Sequence, residues 1–146
     1  MGYTTSSETI HVNNKSNQNI IPHKMGTNRD EENHLIIITA HLDSVNHSGR
    51  PSSNAPGADD NSSGSAGVLE IACVFKDIPV QHDLCFILFG GEEQGLLGSE
   101  QYVKNLTTLD KSRIRAVINT SRIGKLTPST PTVLIEGSPL SEEVIN

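Results

Sequence analysis

Three short clusters in this 146-residue sequence bring together the residue types that hold metal ions and move protons. His41-Leu42-Asp43-Ser44 is the first, Gly57-Ala58-Asp59-Asp60-Asn61-Ser62-Ser63-Gly64 the second, and Gly90-Gly91-Glu92-Glu93-Gln94-Gly95 the third. Imidazole and carboxylate are the ligands that a catalytic zinc uses, with one position left open for water. His41 is therefore a candidate ligand. Asp43, two residues on in an extended segment, is expected to point to the same side and to hold the other ring nitrogen. Adjacent carboxylates repel one another and a cation relieves that cost; Asp59-Asp60 and Glu92-Glu93 both carry it. A glutamate pair can also divide its work, one binding metal while the other takes a proton from water as general base. Any one of these clusters alone reads equally well as a solvated polar turn. Three at matching positions point to a site.

The elements around them fix those positions. Residues 35–40 form a continuous, largely apolar run rich in β-branched residues, the pattern of a strand buried on both faces, and 84–89 form a second continuous apolar run. The first and third clusters follow these strands directly. The second leads into an apolar stripe at Val68, Ile71, Ala72 and Phe75, spaced i, i+3, i+4, i+7 as on one helix face. Ser62 or Ser63 is placed to cap that helix, and Asp77 and Pro79 to end it. Gly64 and Gly67 in its first turns call for close packing against the sheet. Residues 94–106 read as a second helix with Leu97, Tyr102, Val103 and Leu106 inward. Residues 114–119 read as a third strand and 132–136 as a fourth, with Ser138 or Ser141 capping a final helix. Strands alternating with helices imply right-handed crossovers and a mostly parallel sheet, with ligands at its carboxyl edge.

The N-terminal part is less structured by pattern. Residues 1–18 form a polar segment expected to be poorly ordered. Short strands are expected at 8–12 and 19–25, and Pro22 demotes the second to an edge or a bend. Residues 44–57 form a long polar loop of the kind that is usually functional. Net charge is −6 with no Lys/Arg block, which argues against nucleic acid or an anionic membrane surface as partner. No run approaches the roughly 20 apolar residues that span a bilayer, and the first residues lack a charged-then-apolar signal pattern. Cys73 and Cys85 sit inside apolar patterns and read as buried free thiols.

The clusters, taken with Ala55-Pro56 before the second and Leu96-Leu97-Gly98-Ser99 after the third, resemble the motifs of the M28 family of zinc aminopeptidases, in the same order. The similarity runs from about Asn19 to the end of the chain. It implies an α/β fold, a three-layer sandwich around a mostly parallel mixed sheet. It implies two zinc ions, with His41 on one, Asp59 bridging both and Glu93 on the other. Glu92 is then the general base, and Asp43 supports His41. The implied substrate is a peptide with a free N-terminus. Some members carry a cis peptide at the Asp-Asp step, expected here at Asp59–Asp60, and members are often secreted or periplasmic.

The sequence departs from the family at two ligands. A further aspartate is expected in a segment typically reading Asn-Leu-Asp-Met-Ile-Gly, and the matching stretch here is Asn119-Thr120-Ser121-Arg122-Ile123-Gly124. Ser121 thus replaces a carboxylate with a neutral hydroxyl, so reduced or absent zinc occupancy is expected. No histidine follows His82, whereas the family's last ligand is a downstream histidine. Arg122 could neutralise the carboxylates in place of a metal, but strand alternation turns it away if Ser121 faces the site. The leading reading is an incomplete or degenerate zinc aminopeptidase domain, residues 1–146 being one such domain. A catalytically dead binding module on the same fold is the second reading, and a glutaminyl cyclase-like, single-zinc enzyme the third. An incomplete sheet would expose an edge, so a homo-oligomer formed through that edge is expected.

Overall fold

The fold follows from where the continuous apolar runs lie. In a computed structural model, which describes residues 2–12, 14–29, 33–49, 56–125 and 135–137, five strands form one sheet. They are β1 (Thr4–Val12), β2 (Lys15–Lys24), β3 (Leu35–His41), β4 (Asp83–Phe89) and β5 (Ile114–Asn119), in the spatial order β1-β2-β4-β3-β5. β3 is central in the parallel half, between β4 and β5. β1 and β2 form an antiparallel hairpin, and β2 runs antiparallel to β4. The sheet is therefore mixed, as expected for this α/β class, and its parallel part carries the site.

Three helices follow: α1 (Gly64–Phe75), α2 (Leu97–Asn105) and α3 (Thr108–Arg113). Alternation along β3 and β4 sorts the core into two layers. Ile38, Ala40, Leu84, Phe86 and Leu88 pack with Val68 and Ala72 of α1. Leu35, Ile37, Cys85 and Ile87 pack with Tyr102 of α2 on the opposite face. Burial on both sides explains why these two strands carry no polar alternation.

Several elements differ from the sequence reading. The N-terminal segment is a long hairpin, Val12 facing Lys15 across a turn in which Asn14 adopts φ +63°. Asparagine tolerates that left-handed conformation. Pro22 lies inside an interior strand, not at an edge; the ladder between β2 and β4 pairs Ile20 and His23 but skips Ile21 and Pro22, where proline has no N–H to give. α2 begins at Leu97 because Gly91, Gly95 and Leu96 all take positive φ and hold 91–96 as a tight turn. Val103 is exposed instead of inward, and Cys73 lies on the outer side of α1. Cys85 is buried, and its thiol is pushed up to about 12 by that burial. Both cysteines are free. α3 has no apolar stripe but carries a capping box, in which Thr107 Oγ1 accepts the Asp110 N–H and the Asp110 carboxylate accepts the Thr107 N–H. The strand expected at 132–136 and the final helix fall outside the described residues, except for 135–137, which are neither helix nor strand.

Candidate metal centre

β3 and β4 run parallel and in register, His41 opposite Phe89, so the residues that follow them emerge side by side. The ladder continues one step as the Leu42 N–H donates to the Phe89 carbonyl, 2.7 Å. Asp43 then crosses to the second strand exit. Its two carboxylate oxygens accept the backbone N–H groups of Glu92 and Glu93, at 3.0 and 2.9 Å. This carboxylate fixes the glutamate turn. The other ring nitrogen of His41 has a different partner from the one expected: Nδ1 lies 3.1 Å from the Asp43 main-chain carbonyl and 3.8 Å from its carboxylate. A carbonyl only accepts, so Nδ1 carries a proton and Nε2 is the nitrogen left to face the site.

Nε2 faces Asp60. His41 Nε2 and Asp60 Oδ1 are 3.2 Å apart, and two acceptors stand at that distance only with a proton or a cation between them. The sequence reading had placed Asp59 here. Residues Ala58–Ser63 are helical except at Asp60 and Asn61, whose backbone leaves the helical conformation (φ −109°, ψ 92° at Asp60), so the two aspartates part company. Asp59 turns outward from the cluster and accepts the Gly124 N–H on Oδ1, 3.0 Å. The cis peptide falls one step later than expected, at Asp60–Asn61.

The acidic loop is held by residues that the sequence did not single out. Ser44 Oγ donates to the Asp60 carbonyl, 2.8 Å, and Ser65 Oγ to the His41 carbonyl, 2.9 Å. The buried Asn61 side chain donates to the Thr120 carbonyl and accepts the N–H groups of Gly64 and Arg122. Gly64 is required there, since a Cβ would stand 2.4 Å from the Thr120 carbonyl oxygen and 2.3 Å from Asn61 Oδ1. Ser63 begins α1, yet its hydroxyl donates back to the Asp59 carbonyl and does not cap the helix. On the glutamate side, Asn19 is fully buried, donates to the Gly98 carbonyl and accepts the Gly90 N–H. It locks the β4 exit to the start of α2.

Five ionisable side chains among the described residues converge on the space these anchors enclose. His41, Glu92 and Glu93 each offer one ligand atom within 4.8 Å of the others, and His47, Asp60 and Glu93 form a second such trio. Glu92 Oε2 stands 3.8 Å from the His41 ring, on the solvent side. Glu93 is nine-tenths buried, at 10 % side-chain exposure, and its Oε1 has no hydrogen-bond partner among the described residues. Burial, then Asp60, then Glu92 push its carboxyl above the ordinary range. A buried carboxylate oxygen without a partner among the described residues, beside two further carboxylates and an imidazole nitrogen, is a donor set that fits a divalent cation. An apolar cavity of about 310 Å³ lies beside it, bounded by His41, Glu92, Leu96, Tyr102, Val117 and Ser121.

Ser121 and Arg122 behave as their backbone dictates. β5 ends at Asn119 and Arg122 takes φ +53°, so strand alternation no longer applies beyond Asn119. Arg122 turns toward the site, contrary to the sequence reading, and its Nη2 and Nε lie 2.9 and 3.0 Å from Asp60 Oδ2. Ser121 borders the cavity with no carboxylate to offer.

Comparison with known proteins matches residues 19–145 to the model of peptidase family M28. Aminopeptidase YwaD of Bacillus subtilis is 40% identical over 111 residues, covering 76% of this chain and 23% of that protein. The structure of BSAP, described as a zinc aminopeptidase from Bacillus subtilis, superposes with a TM-score of 0.67 at 40% identity, covering 77% of this chain and 26% of that one. A glutaminyl cyclase from an Acidobacteriales bacterium shares the fold, with a TM-score of 0.68 at 18% identity, covering 84% of this chain and 44% of that one. The chain spans about a quarter of the length of the two Bacillus relatives.

Proposed function

The chain belongs to peptidase family M28, and from that premise we propose that it forms part of the catalytic domain of a zinc-dependent aminopeptidase, removing N-terminal residues from peptides. The observation that carries this reading is the convergence of His41, Asp60, Glu92 and Glu93 at the exits of two parallel strands, with Glu93 Oε1 buried and without a partner among the described residues. Asp60 takes the bridging part first given to Asp59, between His41 on one side and Glu93 on the other. Zinc held there would polarise the scissile carbonyl and make water a better nucleophile. Glu92 takes the proton from the attacking water and passes it to the leaving amine, as general base and then general acid. Its place supports that role, because it is the more exposed glutamate and lies beside His41. Asp43 holds both glutamates through their backbone N–H groups, so proton transfer and metal binding share one rigid turn.

A second reading has its own support. Arg122 already neutralises one oxygen of Asp60, and Ser121 stands where the family supplies a carboxylate. Both favour a binding module on the same fold with weakened zinc occupancy. The glutaminyl cyclase likeness is one of fold alone.

Hydrolysis of an aminoacyl p-nitroanilide by the zinc-loaded chain, compared with Glu92→Gln, separates these readings. An aminopeptidase is expected to lose at least roughly 10²-fold in rate on loss of its general base, with zinc retained. Hydrolysis that is absent from the zinc-loaded wild type, or unchanged in Glu92→Gln, would favour the binding module.

A further inference from the structure

We propose that His47 supplies an imidazole ligand to the cation held by Asp60 and Glu93, a role that no sequence motif assigns to it. The inference rests on the reading of Asp60 and Glu93 as zinc ligands and adds a third protein ligand to them. The loop after β3 is tied down twice before it reaches His47. Asp43 is bonded to the glutamate turn, and Ser44 Oγ donates to the carbonyl of Asp60 itself. Three residues later His47 arrives over Glu93, its Nε2 3.7 Å from Glu93 Oε2. One ligand atom each from His47, Asp60 and Glu93 lies within 4.8 Å of the other two.

The spacing is informative. A histidine bonded directly to a carboxylate would close to about 2.7–3.2 Å. Two ligand atoms about 2.1 Å from a tetrahedral zinc stand roughly 3.4 Å apart. The observed 3.7 Å is too long for the first and close to the second. Glu93 supplies the independent sign of a ligand, because its side chain is nine-tenths buried and Oε1 has no partner among the described residues. His47 itself is 67 % exposed at its side chain, so it contributes little to packing and can be removed without disturbing the core.

The test uses the 146-residue chain and Zn²⁺ alone, in competition with a chromophoric chelator at neutral pH. His47→Ala is compared with His11→Ala, a change at an exposed histidine on β1 that belongs to neither ligand trio. Loss of a supporting group around a metal already costs roughly 10–100-fold in affinity, so loss of a ligand is expected to cost at least that. His47→Ala is therefore expected to weaken zinc binding tenfold or more and to change the visible spectrum of the Co²⁺-loaded chain, with His11→Ala matching wild type. Equal zinc affinity and an unchanged cobalt spectrum in His47→Ala would overturn the proposal and leave Asp60 and Glu93 as ligands. A wild-type chain that binds no zinc would overturn both.

Discussion

The two carboxylate oxygens of Asp60 face different sides: Oδ1 faces Nε2 of His41, and Oδ2 receives Arg122. A fixed positive charge on a bridging carboxylate opposes a metal by simple Coulomb repulsion, though an exposed guanidinium is screened by water. Arg122→Gln is accordingly expected to tighten zinc binding a few-fold, more at low salt than at high, in the same chelator competition. Unchanged affinity at low salt would show that Arg122 is electrostatically silent. The types of the site residues were legible in the sequence: His41, Asp43, Glu92 and Glu93 all reach the cluster. Which of two adjacent aspartates faces it was not. That choice depends on the non-helical kink at Asp60 and Asn61, which a single chain of letters does not encode.

The two buried strands were the most legible. β3 and β4 match their apolar runs to within a residue, because strands covered on both faces have no polar positions to confuse the reading; β5 also matches its run, although most of it is exposed. The β1–β2 hairpin was read too short because its outer half is Thr, Ser and Asn on both faces. α3 was missed because no apolar stripe marks it, although Thr107 and Asp110 spell its cap. An ion pair joins the start of β4 to the last residue of α3, just ahead of β5. Asp83 Oδ1 accepts the Gly26 N–H, and Oδ2 pairs with Arg113, whose Nε donates to the Asn33 carbonyl. Burial opposes ionisation of Asp83, but Gly26, Arg113 and Asn33 outweigh it and hold the carboxyl below its ordinary value. A carboxyl depressed in the folded state stabilises above its unfolded pKa, near 4, and that stability is lost as pH falls through the folded value. Urea midpoints are expected to drop on acidification below about pH 4 more in wild type than in Asp83→Asn. At neutral pH Asp83→Asn is expected to cost about 1–2 kcal/mol, the scale of a partly exposed charge-assisted hydrogen bond. Parallel pH profiles would remove Asp83 from the account.

The whole molecule presents two unlike sheet edges. β1 is polar along its outer side, whereas β5, which has no outer neighbour among the described residues, leaves Val117 59% and Ile118 43% exposed. Val103 and Leu109, on the helices before it, are 53% and 69% exposed. An unpaired strand with apolar side chains is a template for association. Light scattering of the 146-residue chain is expected to give a dimer or larger species at micromolar concentration, and Val117→Lys to shift it toward monomer. A monodisperse wild-type monomer would contradict this.

The account stands on a cation facing Asp60 and not Asp59. Its most direct test is zinc per chain by elemental analysis, after zinc loading and dialysis at neutral pH, in wild type, Asp59→Asn and Asp60→Asn. Both asparagine variants keep an oxygen to accept a hydrogen bond and change only the charge. Wild type and Asp59→Asn are expected to retain equal zinc, and Asp60→Asn to lose most of it. Zinc lost from Asp59→Asn but kept by Asp60→Asn, or a wild type that keeps none, would contradict the site as it is drawn here.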